Sequence, residues 1–313
     1  FLVALPAQYL FGVASMTLSA VLATYLFGLA YFAATGVYFF YDSYIPIAVF
    51  LGMQLLFTDP STAPRTEVGR IIFGVLYGLS TVVLYALLTR LGVPPFYDKL
   101  LQVPVLNLSV QVLDRIADSQ WLRGRVWMRK IWTAQVRGMT PRRRNLAYMA
   151  LWGSVFAGMS AVQGVGDRHP GQWVPFWQEA CRDSRPGACR YLRDMQFRFC
   201  RSGSAWACNE AGVLHFVVAG EAEEPPRFYR ADVVELLERS CGAGFAPGCE
   251  NLTRLETGAE PRERAVPTLD DYPIILRGTK GPLENLSPPD LLVQACRQGW
   301  DDACDQVGEA TGG

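Results

Sequence analysis

The chain of 313 residues is 50% hydrophobic, and its 29 basic residues balance 29 acidic ones. That balance leaves no overall basic footprint for nucleic acid, and the charge is too unevenly spread for a single soluble core. Residues 1–113 hold only four acids and four bases, and residues 1–41 hold none.

An uncharged run longer than the roughly 20 residues that cross hydrocarbon reads as membrane. It has neither the basic n-region nor the cleavage site of a signal peptide. Two crossings are expected within residues 1–41, joined by a tight turn near residues 17–19, with Asp42 in an external turn. Residues 44–57 lead back inward to a polar hinge, "TDPSTAPRTEVGRIIFGVLYG". There Asp59-Pro60 ends the incoming helix, because proline disfavours helical geometry in the residue before it. Thr66 is expected to N-cap a helix starting near Gly69-Arg70, with Arg70 snorkelling to the interface. Gly74 and Gly78 form a small-xxx-small pair for close helix contact. Residues 71–89 then run outward and residues 100–113 inward.

Residues 114–145 carry nine bases against two acids, which places this segment on the cytoplasmic side. Trp121, Trp127 and Trp132 alternate there with arginines, a composition suited to an amphipathic helix lying in the inner headgroup layer. "LAYMALWGSVFAGMSAVQGV", residues 146–165, is a last transmembrane helix that emerges outside. The remaining residues, 166–313, form a domain with 16 bases and 23 acids, a balance that does not favour nucleic acid.

All eight cysteines lie in that outer domain, in four segments of identical spacing: "CRDSRPGAC", "CRSGSAWAC", "CGAGFAPGC" and "CRQGWDDAC". An even number, a constant spacing and an exported location read as the disulfides Cys181–Cys189, Cys200–Cys208, Cys241–Cys249 and Cys296–Cys304. No C-x-x-C occurs, which excludes zinc-ribbon spacing and a C-x-x-C-H haem site. Helical apolar patterns lead into each first cysteine and away from each second one, so each bridge staples one helix to an antiparallel neighbour. The expected fold is all-α: a polytopic membrane domain followed by a disulfide-stapled α-solenoid of helix pairs.

Residues 174–309 resemble the disulfide-rich SEL-type repeats, relatives of the tetratricopeptide repeat, with a cysteine ending helix A and another opening helix B. The resemblance implies a protein-docking scaffold without catalysis. First cysteines spaced unevenly make "CRYLRDMQFRFC" a candidate single helix stapled at both ends, and residues 257–287 read as an insertion in the array.

Residues 44–115 are similar to the RnfD/NqrB family, membrane subunits of ion-pumping, flavin-bearing respiratory complexes. The matching residues are Asp59, Pro60, Thr62, Pro64, Thr66, Gly69, Arg70, Phe73, Gly74 and Gly78, followed by Asn107 and Asp114. The resemblance implies ion-path roles for Asp59 and Asp114, ionisable groups at helix ends beside the membrane. The family's covalent FMN threonine sits in S-G-A-T or D-G-A-T, which this sequence lacks; the nearest fragments end at Thr24 and Thr35. No cofactor is therefore expected within the chain, and a flavin would enter only through sequence upstream of Phe1 or by non-covalent binding.

Catalytic motifs are sparse. There is no G-x-S-x-G, Walker A, HExxH or GxGxxG, and no metal set. Of two histidines, His169 follows the last span and His215 lies in the apolar "GVLHFVV", where a packed core role is expected. The sequence thus points to a structural subunit of a membrane electron-transport assembly, with an ion- or electron-path subunit of an Rnf/Nqr-type oxidoreductase as the alternative. It would be multi-pass in a bacterial inner membrane, with the C-terminal domain in the periplasm. Its partners would be lipid and other subunits.

Overall fold

The computed structural model describes residues 4–40, 49, 52–53, 63–91, 101–119, 139–163, 168–220, 229–262, 265–276 and 283–311. All regular structure among them is helical, as expected. The chain forms two compact units, one of Phe1–Ala34 with Tyr44–Gln163 and one of Thr35–Ser43 with Gly164–Gly313.

The first unit contains α1 (Ala4–Phe11), α2 (Ala14–Thr35), α3 (Glu67–Arg90), α4 (Gln102–Asp118) and α5 (Pro141–Gln163). Among the described residues, three stretches are long and apolar enough to cross a membrane: Ala14–Thr35, Glu67–Thr89 and Pro141–Val162. The expected turn at residues 17–19 does not form, since α2 runs unbroken through it. The Ser19 hydroxyl donates to Ser15 O (2.8 Å) and Met16 O (3.0 Å) of its own helix, so the polar residue is absorbed within the helix. The break falls instead at Gly12, whose φ of +66° suits glycine. At eight residues, α1 is too short to span a bilayer core.

Helix α4 covers the segment expected to run inward and continues past residue 113 to Asp118. It is amphipathic, with Leu101, Val105, Leu108, Val112 and Ile116 exposed at helical spacing while Leu106, Leu113 and Ala117 are buried. The core it joins contains Met16 and Val21 of α2, Phe73 and Tyr77 of α3, and Trp152 of α5. Most of the expected incoming segment at residues 44–57, and the tryptophan-rich interfacial segment, lie outside the described residues.

The second unit contains α6 (Val174–Arg182), α7 (Ala188–Arg201), α8 (Ala205–Gly220), α9 (Tyr229–Gly242), α10 (Ala246–Glu256), the single turn α11 (Tyr272–Ile275), α12 (Pro288–Arg297) and α13 (Asp301–Thr311). Successive helices pack on one another from α6 to α10, and α12 packs on α13. All four expected disulfides are present, with Cα atoms 4.5–4.6 Å apart, and no described cysteine is free. Helix α7 carries Cys189 near its start and Cys200 near its end, so it is the doubly stapled helix.

The four stapled corners share one backbone design. The residue three after each first cysteine, Ser184, Gly203, Gly244 or Gly299, has positive φ. Its N–H donates to the cysteine carbonyl, and the next residue's N–H reaches the carbonyl just before the cysteine, at 2.8–3.2 Å throughout. This satisfies the orphan carbonyls at the helix end, as a left-handed cap does. Small residues directly before the second cysteine, Ala188, Ala207 and Ala303, are wholly buried where the paired helices meet. At Gly248 an added Cβ would stand 2.6 Å from Ser240 Cβ.

Residues 265–276 of the expected insertion are tied to the array. Asp271, 3% exposed, accepts from Ser204 Oγ (2.7 Å), Trp206 N (3.2 Å), Thr268 N (2.9 Å) and Thr268 Oγ1 (2.7 Å). Trp206 Nε1 donates to Ala265 O at 2.6 Å, and the Trp206 and Trp300 rings meet edge to face at 5.3 Å. Residues 35–43, which the sequence assigned to the membrane half and its turn, belong to this unit. The Tyr38 ring lies 4.4 Å from His169 and 5.1 Å from Phe176, and Arg185 Nη1 donates to Gly36 O at 3.0 Å.

Span-length helices in one unit and four disulfides in the other fit a membrane protein with a domain in an oxidising compartment. Two predictions follow from the second unit. Ser184 is the one non-glycine in the shared positive-φ position, so Ser184→Gly is expected to stabilise the unit by about 1 kcal/mol in chemical unfolding of the full chain. The second concerns His169, whose pKa burial pushes down to about 4 from 6.5. Because the folded state resists the proton that the unfolded chain accepts, stability is unaffected above pH 6.5 and falls as pH drops from 6.5 toward 4. The loss is about 3 kcal/mol and should be absent in His169→Asn, compared across that window by tryptophan-monitored unfolding.

Candidate functional site

Two places concentrate polar chemistry, one in each unit. In the first unit it is the hinge before α3. Thr66 is the N-cap, as expected, and its Oγ1 accepts from Gly69 N at 3.0 Å. Its backbone N–H donates to Asp114 Oδ1 at 3.2 Å and its hydroxyl to the same oxygen at 3.0 Å, while Arg65 N donates to Asp114 Oδ2 at 3.0 Å. One carboxylate near the end of α4 therefore holds the start of α3. Gly69 is required where these groups converge, since an added Cβ would stand 2.6 Å from Thr66 Oγ1 and 2.8 Å from Asp114 Oδ1.

Arg70 has a structural role in the joint. Its Nε donates to Pro64 O at 3.0 Å and its Nη1 to Gly12 O at 2.9 Å, capping the break between α1 and α2. Glu67 accepts from Arg144 Nη2 of α5 at 3.1 Å. Along α3, Gly74 and Gly78 face α2: a Cβ at Gly78 would lie 2.7 Å from Ala20 O, and one at Gly74 would collide with Met16 O and Ser19 Oγ. Phe73 is fully buried beside them. Asn107 Oδ1 is buried without a hydrogen-bond partner among the described residues, and Gln102 Nε2 donates to Thr81 Oγ1 at 3.0 Å.

Most of the signature thus converges on one joint, from Pro64 to Gly78 with Asp114. Asp59, Pro60 and Thr62 lie outside the described residues. Of the two threonines nearest to a flavin-attachment motif, Thr24 is fully buried and donates to Ala20 O at 3.1 Å, a position that does not fit a phosphoester. Thr35 Oγ1 contacts the backbone of Val37. Among the described residues no group of three or more His, Cys, Asp or Glu side chains is placed to hold a metal.

The second place is a groove of about 400 Å³ on the stapled unit. Helix α7 contributes Arg193, Phe197 and Arg201 at four-residue steps, and α9 contributes Asp232, Glu235, Leu236 and Arg239. His215 of α8 lies between these walls, 12% exposed in its side chain. Its ring meets Phe197 edge to face at 5.8 Å, and its Nε2 is 3.9 Å from Asp232 Oδ2. Neither ring nitrogen has a hydrogen-bond partner among the described residues. Desolvation lowers the His215 pKa, Arg193 lowers it further, and Asp232 opposes them.

The packed core role expected for His215 is therefore incomplete, since its ring also lines this groove. Sequence reading missed Arg193 and Arg201 as functional candidates. Their signal was present: residues 182–201 carry six bases against two acids in an otherwise acidic domain. His169 is different. It is an N-cap whose Nδ1 accepts from Gly171 N at 3.1 Å.

Removing the joint's carboxylate is expected to cost about 2 kcal/mol, because Asp114→Ala strands three donors. Asp114→Asn, which keeps an accepting oxygen, should cost less; thermal unfolding of the full chain in detergent would read both. No family model, curated protein or solved structure matches this chain.

Proposed function

We propose that the chain is a structural subunit of a bacterial inner-membrane electron-transport assembly, whose stapled periplasmic repeats dock partner proteins. The observation that carries this reading is the division of labour between the two units. In the membrane unit the signature residues act on one another: Asp114, Thr66, Gly69 and Arg70 spend their polar groups on the joint, and Gly74 and Gly78 on helix contact. In the stapled unit an open groove presents charged and aromatic side chains with unspent hydrogen-bonding capacity. A rigid solenoid with a side-chain-lined groove is a surface for recognition.

The resemblance to RnfD/NqrB subunits supplies the electron-transport context, and the disulfides fit the periplasm. The alternative reading, an ion- or electron-path subunit, draws on buried amides near α3: the Gln102–Thr81 bond and Asn107 Oδ1.

Purification from the native membrane in mild detergent, with mass spectrometry of co-purifying subunits and a visible spectrum, separates these readings. Redox-complex subunits without flavin absorbance intrinsic to this chain, and ion transport unchanged in Gln102→Leu, are expected for the docking subunit. Loss of ion transport in that variant with assembly intact would establish the path subunit. An absence of co-purifying subunits would sink the docking proposal.

A further inference from the structure

The groove between α7 and α9 has a defined chemistry, and that chemistry selects a ligand. One wall is basic. On α7, Arg193, Phe197 and Arg201 recur at four-residue steps and share a face. Arg201 is exposed and has no hydrogen bond or ion pair among the described residues, while Arg193 donates to its neighbour Asp194 at 3.1 Å. The opposite wall is internally neutralised: Glu235 accepts from Arg239 Nη2 at 2.7 Å. Asp232 is the remaining acid, and it stands 3.9 Å from His215 on the α9 side. With Arg193 shared by Asp194 and Glu235 by Arg239, Arg201 is the cation on the α7 side left to pair with an incoming carboxylate, and Asp232 is the acid on the α9 side beside His215.

Its interior is not simply polar. Phe197 and Leu236 offer apolar surface, and His215 brings two nitrogens that have been removed from water without replacement partners. A buried polar group left in that condition is costly, so the site gains most from a ligand that supplies an acceptor to the ring and carboxylates to the arginines. Free phosphate would answer the charge but leave Phe197 and Leu236 uncovered. A chain segment with acidic and apolar residues answers both.

We infer that the α7–α9 groove is a receptor for a short acidic, apolar-containing segment of a partner protein, with Arg193 and Arg201 pairing its carboxylates and His215 hydrogen-bonding it. This rests on the docking function proposed above and names the chemistry of the partner. A bound carboxylate beside His215 favours the imidazolium, against the desolvation and the Arg193 charge that disfavour it and together with Asp232, which supports it. Glu235 and Arg239 of α9 and Arg201 of α7 are the other charges lining the groove. Binding therefore takes up a proton and tightens as pH falls from 7.5 to 5.5.

The test uses the full chain in nanodiscs of neutral lipid and a fluorescein-labelled short peptide of Glu, Leu and Gly, with the Lys-for-Glu peptide as its counterpart. Fluorescence anisotropy should show saturable binding of the Glu peptide only. Arg201→Glu and Arg193→Glu should each weaken it roughly tenfold, and His215→Asn should bind at pH 7.5 but lose the tightening toward pH 5.5. Equal binding of both peptides, indifference to Arg201→Glu, or binding of phosphatidylglycerol vesicles in place of the peptide would overturn the inference. Co-purification of partner subunits separates it from the function it rests on. Subunits retained by Arg201→Glu, with no peptide bound by the parent chain, would remove the groove and leave the docking function standing. Charge-selective peptide binding by a chain that retains no subunits would establish the groove and remove the assembly.

Discussion

The constraint on which the stapled unit depends is the helix end. Its helices are short, from nine to sixteen residues in the array from α6 to α10, and helices of that length are marginal without tertiary support. Each must stop, satisfy its last carbonyls and reverse within a few residues. The shared corner does all three: a positive-φ residue turns the chain, two N–H groups return to the helix end, and a disulfide closes the corner. Closing so small a loop contributes roughly 2 to 3 kcal/mol per bridge against the unfolded chain. The small residues at the helix contacts follow from the same closeness, since bridged Cα atoms at 4.5–4.6 Å leave no room for bulk beside them.

The first unit solves the same problem without sulfur. A helix start carries N–H groups that need acceptors wherever water is scarce, and here the acceptor comes from another helix. Asp114 reaches from α4 to Arg65 and Thr66, Arg70 reaches from α3 back to the α1–α2 break, and Glu67 meets Arg144 of α5. These side chains tie α3 to α4, to α5 and to the α1–α2 break. The glycines then allow α2 and α3 backbones to approach, so joint and packing reinforce each other.

What the sequence made legible was whatever has a short-range cause. The cysteine spacing yielded all four bridges and the doubly stapled α7, and Thr66 read as an N-cap because a cap is a local hydrogen bond. The break near the N-terminus was misplaced because a serine and a threonine in an apolar run look like a turn, whereas Ser19 bonds back within its helix and Gly12 supplies the positive φ. The acceptors of Arg70, Pro64 O and especially Gly12 O, are invisible to a local pattern. The groove was hidden for a related reason. Arg193, His215 and Asp232 come from three helices, and only their packing creates a place between them.

A helix pinned at both ends behaves differently from one pinned at either. Fraying begins at termini, and in α7 each terminus is covalently closed onto a neighbour, through Cys189 to α6 and through Cys200 to α8. The arginine-bearing wall therefore loses little conformational freedom when something settles against it, and the entropy usually spent on ordering a receptor has already been spent in oxidation. Reduction of two bonds would convert the same residues from a fixed template into a fluctuating one. The redox state of the compartment thereby becomes a determinant of that wall's rigidity as well as of folding.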